Sequence, residues 1–525
     1  MINRLLREEI EKTLNVIFPS VEAEGVTVSS LRQFGDYTTN AAMVVSARVG
    51  KTAKETAKSI VAQLDKSEET KKRILKMEIA GPGFINFFLK NEVIVSELEE
   101  IGEKAKKGFG FRKGEKINIE PSSANPTGQF HIGHGRGAFY GDTLANILEF
   151  TGGDLTREYY INDSRESNQI KELGKTTLGQ GETYLTEKLK TQIARLKTES
   201  QDIGVVGFLL ARIVQSDNRE FIEKKLGIRF DIWYSEDEKL RATLLNDRTL
   251  AALKMKELVY EKDGAVWLKT SEYGDDEDRV IIRSDESKTY FLSDISYHGD
   301  KFARGYDVVI DVFGADHHGH VKRMMAAKKM LGWKGDLKIF VAQMVSLKEN
   351  GVSAKMSKRA GNVVLLKDLV DEFGLDVVRW FYNEKALSTQ MEFDMALAKE
   401  HSAKNPVFYV QYAHARMNSI LEKAKSVSGD NVSIEAILKE PSAKNLALKI
   451  LQFAEVLEEI ANDYQAHRLT TYAYELASAF SAFYRDVQVV GEGSYNTGAL
   501  ATINITKITL AKCLSLLGIS APEKM

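Results

Sequence analysis

Apolar positions along the 525-residue chain change their spacing twice. Near the start, Ile2, Leu5, Leu6, Ile10, Leu14 and Ile17 recur three and four apart, which predicts a helix. "KTAKETAKSIVAQL" (51–64) predicts a second, and "KNEVIVSELEEIGEKAKK" (90–107) a third. Between them, "ILKMEIA" (74–80) and "GFINFFL" (83–89) read as strands around the turn Gly81-Pro82-Gly83. Residues 1–108 therefore read as an α+β domain.

In 109–385 the pattern becomes strand–helix alternation. "KINIEP" (116–121) is a short strand, "GAFYGDTLANILEFTGG" (137–153) a helix stopped by Gly152-Gly153, and "LTREYYIND" (155–163) the next strand. A polar helical stretch, about 170–260, reads as an insertion. "YDVVIDVFGADHH" (306–318) is apolar without alternation up to Gly314, as in a strand buried on both faces. Such alternation predicts a doubly wound, Rossmann-type parallel sheet. In 386–525 the spacing is helical, with "NLALKILQFAEVLEEIANDY" (445–464) and "TTYAYELASAFSAFYRDVQVV" (470–490) amphipathic, and a helical bundle is expected. The whole is a multidomain α/β chain.

Composition narrows this. Hydrophobic residues are 43%, enough for real cores, and charged residues 28% with a net charge of -2, which argues against a polybasic binder but leaves room for a local basic face. The single cysteine, Cys513, allows no internal disulfide and no thiolate zinc cluster, so no structural zinc and a reducing cytoplasm are expected. No uninterrupted apolar run of ~18 residues occurs, so no membrane span is expected.

The candidate chemistry gathers in "SSANPTGQFHIGHGRGAFYGD" (122–142), where His131 and His134 lie three apart among five glycines. A strand delivers the chain at Glu120 and a helix begins near Gly135, where unpaired backbone N–H groups would attract an anion. Gly133, Gly135 and Gly137 remove side chains where a base or phosphate could approach the backbone. Taken alone, this turn supports a nucleotide site no better than a structural histidine. A second element, "KMSKRAGN" (355–362), places Lys355, Met356, Ser357, Lys358 and Arg359 after the turn "KENGVS". Lysines on such a loop suit a triphosphate tail.

The ordered pair "HIGH" and "KMSKR" resembles the signatures of class I aminoacyl-tRNA synthetases. "REYYIND", "GADHHGHVKRM" and "YVQYAHAR", with the glycine-rich turn, resemble the arginyl family in particular, as do "FGDYTTNAA" near the start and "LLGISAPEKM" at the end. The likeness runs nearly end to end. One stretch departs: members continue "YIND" with a short Ala-Gly step before "NQI", where this chain has Ser164 to Ser167, "SRES".

The resemblance implies an arginine–tRNA ligase that forms an adenylate from L-arginine and ATP with Mg²⁺, then transfers arginine to its cognate tRNA, which must be bound before activation. His131 and His134 would stabilise the α-phosphate, Gly133 would let adenine pack close, and Lys355 and Lys358 would neutralise pyrophosphate. Gly135, Gly314, Asp316, His317, Met356 and Ser357 would complete the ATP site. Glu120 and Asp294, with Tyr290 packing alongside, are candidate partners of the substrate guanidinium, while Ser123 and Asn125 would hold its amino or carboxylate end. A zinc site from Asp316, His317, His318 and His320 is the competing reading of "GADHH". The first domain would touch the tRNA elbow and the tail bundle would read the anticodon, with a monomer favoured. The rival functions are another class I synthetase, a nucleotidylyltransferase and a non-catalytic RNA-binding relative.

Overall fold

The first apolar stripe forms the helix Ile2–Ile17, which buries Leu6, Ile10 and Leu14 against a four-stranded antiparallel sheet and its helices. In that sheet Ile74–Ala80 and Phe84–Leu89 pair antiparallel about the expected glycine–proline turn. Gly81 takes φ 54 there, a left-handed value that glycine tolerates best. The helix Ala53–Leu64 starts with a capping box in which Thr52 and Glu55 satisfy each other's backbone N–H. The closing helix Asn91–Lys107 packs on the C-terminal bundle, with Gly102 lying beside Ile505. The computed structural model describes residues 2–30, 34–317, 319–349, 352–353, 364–425, 428–490 and 494–525.

Five parallel strands build the central sheet: β1 (Lys116–Glu120), β2 (Asp154–Ile161), β3 (Ile232–Ser235), β4 (Val308–Gly314) and β5 (Asp336–Ala342), in the order β5-β4-β1-β2-β3. The connections run outward from β1 to β3 and then cross back to β4. The order therefore reverses between β1 and β4, where such sheets bind ligands at their carboxyl ends. Three helices bear on the site: α1 (Ile132–Phe150) after β1, α2 (Tyr290–Ala303) before β4 and α3 (His320–Leu331) after it.

The sequence reading of 170–260 as a polar helical insertion is corrected here. Helices cover Glu187–Ile193 and Ile203–Glu220, but Ile232–Ser235 is β3, paired in parallel with β2. Four residues are too few to show a period, and the partner strand fixes the conformation. The C-terminal bundle is helical as expected, with Pro406–Ala424, Pro441–Asp463, Arg468–Asp486 and Thr497–Leu517. By length and composition Thr497–Leu517 is apolar enough to cross a bilayer, but half of that window is buried within the protein and Ile503, Leu510 and Leu514 are fully buried. Its apolarity is that of a bundle core.

Candidate active site

A cleft of about 680 Å³ opens at the carboxyl ends of β1 and β4. Of the residues singled out in the sequence, His131, Gly133 and His134 line it on one side. Glu120, Ser123, Asn125, Tyr290 and Asp294 line it on another, with Gly314 and His317 at the end of β4. Gly135 is not in the lining. A Cβ there would lie 2.9 Å from Leu366 and 3.0 Å from Tyr382, so this glycine serves helix packing. Lys355, Met356, Ser357 and Lys358 lie outside the described residues, as does His318 and the side chain of Asp316; the zinc reading of that segment rests partly on them.

The three-residue spacing of the histidines is that of a helix cap. His131 is the N-cap of α1, its Nδ1 accepting from Gly133 N at 3.0 Å, while His134 Nδ1 accepts from His131 N at 3.2 Å. The rings stack with centroids 3.6 Å apart. A nitrogen that accepts a backbone N–H carries no proton, so each neutral ring holds its hydrogen on Nε2. Burial pushes His131 below its ordinary pKa, and burial with the neighbouring His131 takes His134 down to about 3. Near neutrality the pair is two uncharged N–H donors.

Two expectations change. The first amides of α1 are not open to an anion: Ile132 N donates to Val364 O at 3.0 Å, Gly133 N to His131 Nδ1, and His134 N to His131 O at 3.0 Å. The donors on offer are the imidazole Nε2–H groups. Nor would the glycines serve a base alone, since they also answer to packing within the protein. A Cβ on Gly133 would fall 2.9 Å from the His131 ring, and on Gly137 and Gly141 it would strike Pro121 at 2.6 and 2.3 Å. They let α1 pack against the exit of β1 and let the cap close.

The acids fall into two groups. Glu120 Oε1 accepts from Ser123 Oγ at 2.6 Å, and its Oε2 from Tyr297 Oη and Lys301 Nζ, both at 2.9 Å. Lys301 Nζ also donates to Asp311 Oδ1 at 2.7 Å, and Asp311 Oδ2 lies 2.8 Å from His298 Nε2. His298 Nδ1 is 2.8 Å from the main-chain oxygen of Asp294. Both neighbours of that ring are acceptors, so both nitrogens donate and His298 is an imidazolium. Burial opposes its charge, but Asp311 prevails and raises the pKa. Burial likewise opposes the Asp311 carboxylate and is outweighed by Lys301 and His298, which hold it well below the usual range. Two cations thus balance two carboxylates.

Glu236, on the turn after β3, was missed in the sequence because it stood inside the supposed insertion. It lines the cleft, is 1% exposed, and accepts from Ser293 Oγ at 3.3 Å. Its Oε2 has no hydrogen-bond partner among the described residues, and Arg241 Nε stands 3.8 Å from Oε1. Burial first, and then the charge of Asp294, push the Glu236 carboxyl up to about 8. Among the described residues Asp294 Oδ2 meets His320 Nε2, at 2.8 Å. Asn162 and Gln169, also missed, bring to the cleft buried carbonyl oxygens with no hydrogen-bond partner among the described residues, and Asn162 Nδ2 donates to Asn125 Oδ1 at 3.1 Å. Arg323 lines the wall beside His320. The one available signal for Glu236 was an acid two positions after the aromatic pair Trp233-Tyr234, past Ser235.

Comparison with known proteins agrees with this geometry. The class I (R) tRNA synthetase catalytic domain matches residues 97–167 and 169–421, the arginyl tRNA synthetase N-terminal domain residues 2–89, and the DALR anticodon-binding domain residues 410–525. An arginine–tRNA ligase of Geobacter sp. (strain M21) is 40% identical, covering 96% of this chain and 95% of its own. A crystal structure described as a putative arginyl tRNA synthetase from Campylobacter jejuni is 33% identical, with a TM-score of 0.70, covering 83% of this chain and 99% of its own. The arginyl-tRNA synthetase of Thermus thermophilus, 21% identical, shares the fold over 100% of both chains with a TM-score of 0.82.

Proposed function

The chain belongs to the arginyl family of class I aminoacyl-tRNA synthetases, and from that premise we propose that it is an arginine–tRNA ligase whose cleft takes ATP at the histidine end and arginine at the acidic end. The observation that carries the reading is the pair Glu236 and Asp294, two carboxylates lining one cleft with no lysine or arginine hydrogen-bonded to either among the described residues. Such a pair is costly without a cationic ligand and suits a guanidinium. Tyr290, half exposed at the cleft, would pack against its plane.

Arginine held there presents its carboxylate toward the α-phosphate of ATP. His131 and His134 donate from Nε2 to the phosphate oxygens as charge gathers on them, and because both are neutral they stabilise by dipole and lose no proton. The positive charge comes from Lys355 and Lys358, which resemble the signature lysines of the family. Gly314, Asp316, His317, Met356 and Ser357 surround the nucleotide, while Ser123 and Asn125 orient the amino-acid end. Among the described residues no three metal ligands come together, so Mg²⁺ would ride on the phosphates of ATP itself. Attack by the carboxylate expels pyrophosphate, and the tRNA 3′ end then takes the arginyl group and releases AMP. Catalysis is positioning and charge stabilisation, with no covalent enzyme intermediate.

We divide the chain into 1–108 at the tRNA elbow, 109–385 for chemistry and 386–525 at the anticodon, working as a cytoplasmic monomer. Tyr412 and Tyr474 are 46% and 42% exposed, beside Phe408 and Tyr409 respectively, and offer splayed bases an aromatic shelf. The test is aminoacylation of total tRNA with each amino acid in turn, with pyrophosphate exchange measured with and without tRNA. Charging confined to arginine, with exchange that needs tRNA, is expected; charging by another amino acid would overturn the reading.

A further inference from the structure

Strands β2 and β3 end side by side, with Ile161 opposite Ser235. The loop leaving β2 ties down the turn leaving β3. Asp163 accepts from Ser235 Oγ at 2.9 and 2.7 Å and from Asp237 N at 3.0 Å. Arg165 donates from its main-chain N to Asp237 Oδ1 at 3.0 Å, and its Nε lies 3.1 Å from Asp237 Oδ2. Glu166 Oε2 takes the Nη1 end of Arg241. This is the "SRES" loop that departs from the family pattern, and the match to the family's catalytic domain is interrupted just after it, at Asn168.

Arg241 is the residue that makes the tether matter. It shares the turn with Glu236, its side chain is 17% exposed, and its buried Nε has no hydrogen-bond partner among the described residues while standing 3.8 Å from Glu236 Oε1. The protein thus keeps a guanidinium of its own beside the carboxylate meant for the substrate's. A cavity of about 360 Å³, lined by Glu166, Arg241, Glu236 and Tyr290, adjoins the cleft across Glu236. A carboxylate that closed onto Arg241 as a bidentate pair would be lost to an incoming guanidinium. In the structure the Nη1 end is engaged by Glu166 instead.

We propose that Glu166 is a positioning residue for substrate recognition: it tethers Arg241 and so keeps Glu236 open to the guanidinium of arginine. The inference rests on the reading of Glu236 as a substrate acid. Glu166 is 68% exposed, so its hold on Arg241 is modest and screened by salt. A fivefold effect, about 1 kcal/mol, is the ceiling for such a pair.

The experiment measures KM for arginine at saturating ATP and tRNA in Glu166→Gln, in the double variant Glu166→Gln/Arg241→Met, and in Glu236→Gln. Glu166→Gln should raise the arginine KM about fivefold with little change in kcat. Removing Arg241 as well should bring KM back to within about twofold of wild type, because the competitor is gone. A loop that mattered only for folding would lose more, not less, on the second substitution. A Glu166→Gln protein with unaltered arginine KM, or a double variant no better than the single, overturns the tether. If Glu236→Gln loses arginine affinity while Glu166→Gln does not, the tether alone fails. If Glu236→Gln has no effect on arginine KM, the acid reading fails and takes the tether with it.

Discussion

Glu120, with Asp311 buried behind it, and the pair Glu236 and Asp294 at the cleft are four carboxylates treated in opposite ways. The first two share Lys301, and Asp311 also takes an imidazolium from His298. The second two face each other's charge, with a histidine 2.8 Å from one and a guanidinium nitrogen 3.8 Å from the other. Where cations balance the acids inside the fold, the cluster stabilises the chain and orients its neighbours. Where they do not, the cost of burying Glu236 beside a part-buried like charge is met by protonation of Glu236 until a cation arrives. The difference separates two residues that the sequence offered as equals, Glu120 and Asp294, and it points to Glu236 as the partner of Asp294.

Removing the cation from the balanced cluster should have the largest effect. Lys301→Met leaves Glu120 and Asp311 buried without their shared counter-ion, and breaking such a pair typically costs ~3–5 kcal/mol of stability. Urea denaturation should show the midpoint falling accordingly; a midpoint within ~0.5 kcal/mol of wild type would mean the cluster is not the fold's anchor. The unbalanced pair should answer in function instead. Asp294→Asn takes one partner from a desolvated guanidinium, and kcat/KM for arginine should drop roughly 10²- to 10³-fold, with ATP binding little changed. Stability should hold or rise slightly, since a like charge beside Glu236 is gone. The distinction collapses if Glu120→Gln costs arginine selectivity without loss of stability, or if Asp294→Asn unfolds the protein without loss of selectivity.

The sequence made one side of this cleft legible and hid the other. His131 and His134 stand in one contiguous motif, and Asp294 was singled out through the family resemblance. Glu236 depends on β3, four residues whose strand character comes only from pairing with β2. Lys301 and Asp311 carried no signal in the sequence; only the fold brings them within 2.7 Å. The same holds for the glycines of α1. Their crowding was visible, but that they fit around Pro121 and the His131 ring follows from where β1 delivers the chain. Strands β1, β2 and β4, the bundle and the N-terminal hairpin were legible because each rests on a repeating local pattern, whereas β3 and β5 were not.

The smallest expected effect is a pH dependence, and its sign can be derived. Glu236 is raised from 4.5 to about 8 in the folded protein, by burial first and Asp294 second. A carboxyl raised on folding binds more protons folded than unfolded between those values, so the ligand-free protein loses stability as pH climbs through that window. Arginine reverses the balance, because its guanidinium favours the ionised acid and binding must release the proton. Affinity for arginine should therefore rise with pH and level off above about 8, by about fivefold between pH 7 and pH 8 for one group titrating at the upper end. Of the neighbours with shifted values, Asp163 is raised only to about 6 and His134 is down near 3, both below this interval, while Asp311 raises His298 from 6.5 toward it, so the Glu236→Gln variant isolates the contribution of Glu236. The thermal shift produced by saturating arginine should likewise grow from pH 7 to pH 8, and Glu236→Gln should flatten both curves. A wild-type arginine KM that is constant across that unit of pH would show Glu236 already ionised in the free protein, and the contrast between the two acid clusters would then lie in their hydrogen bonds and not in their charge.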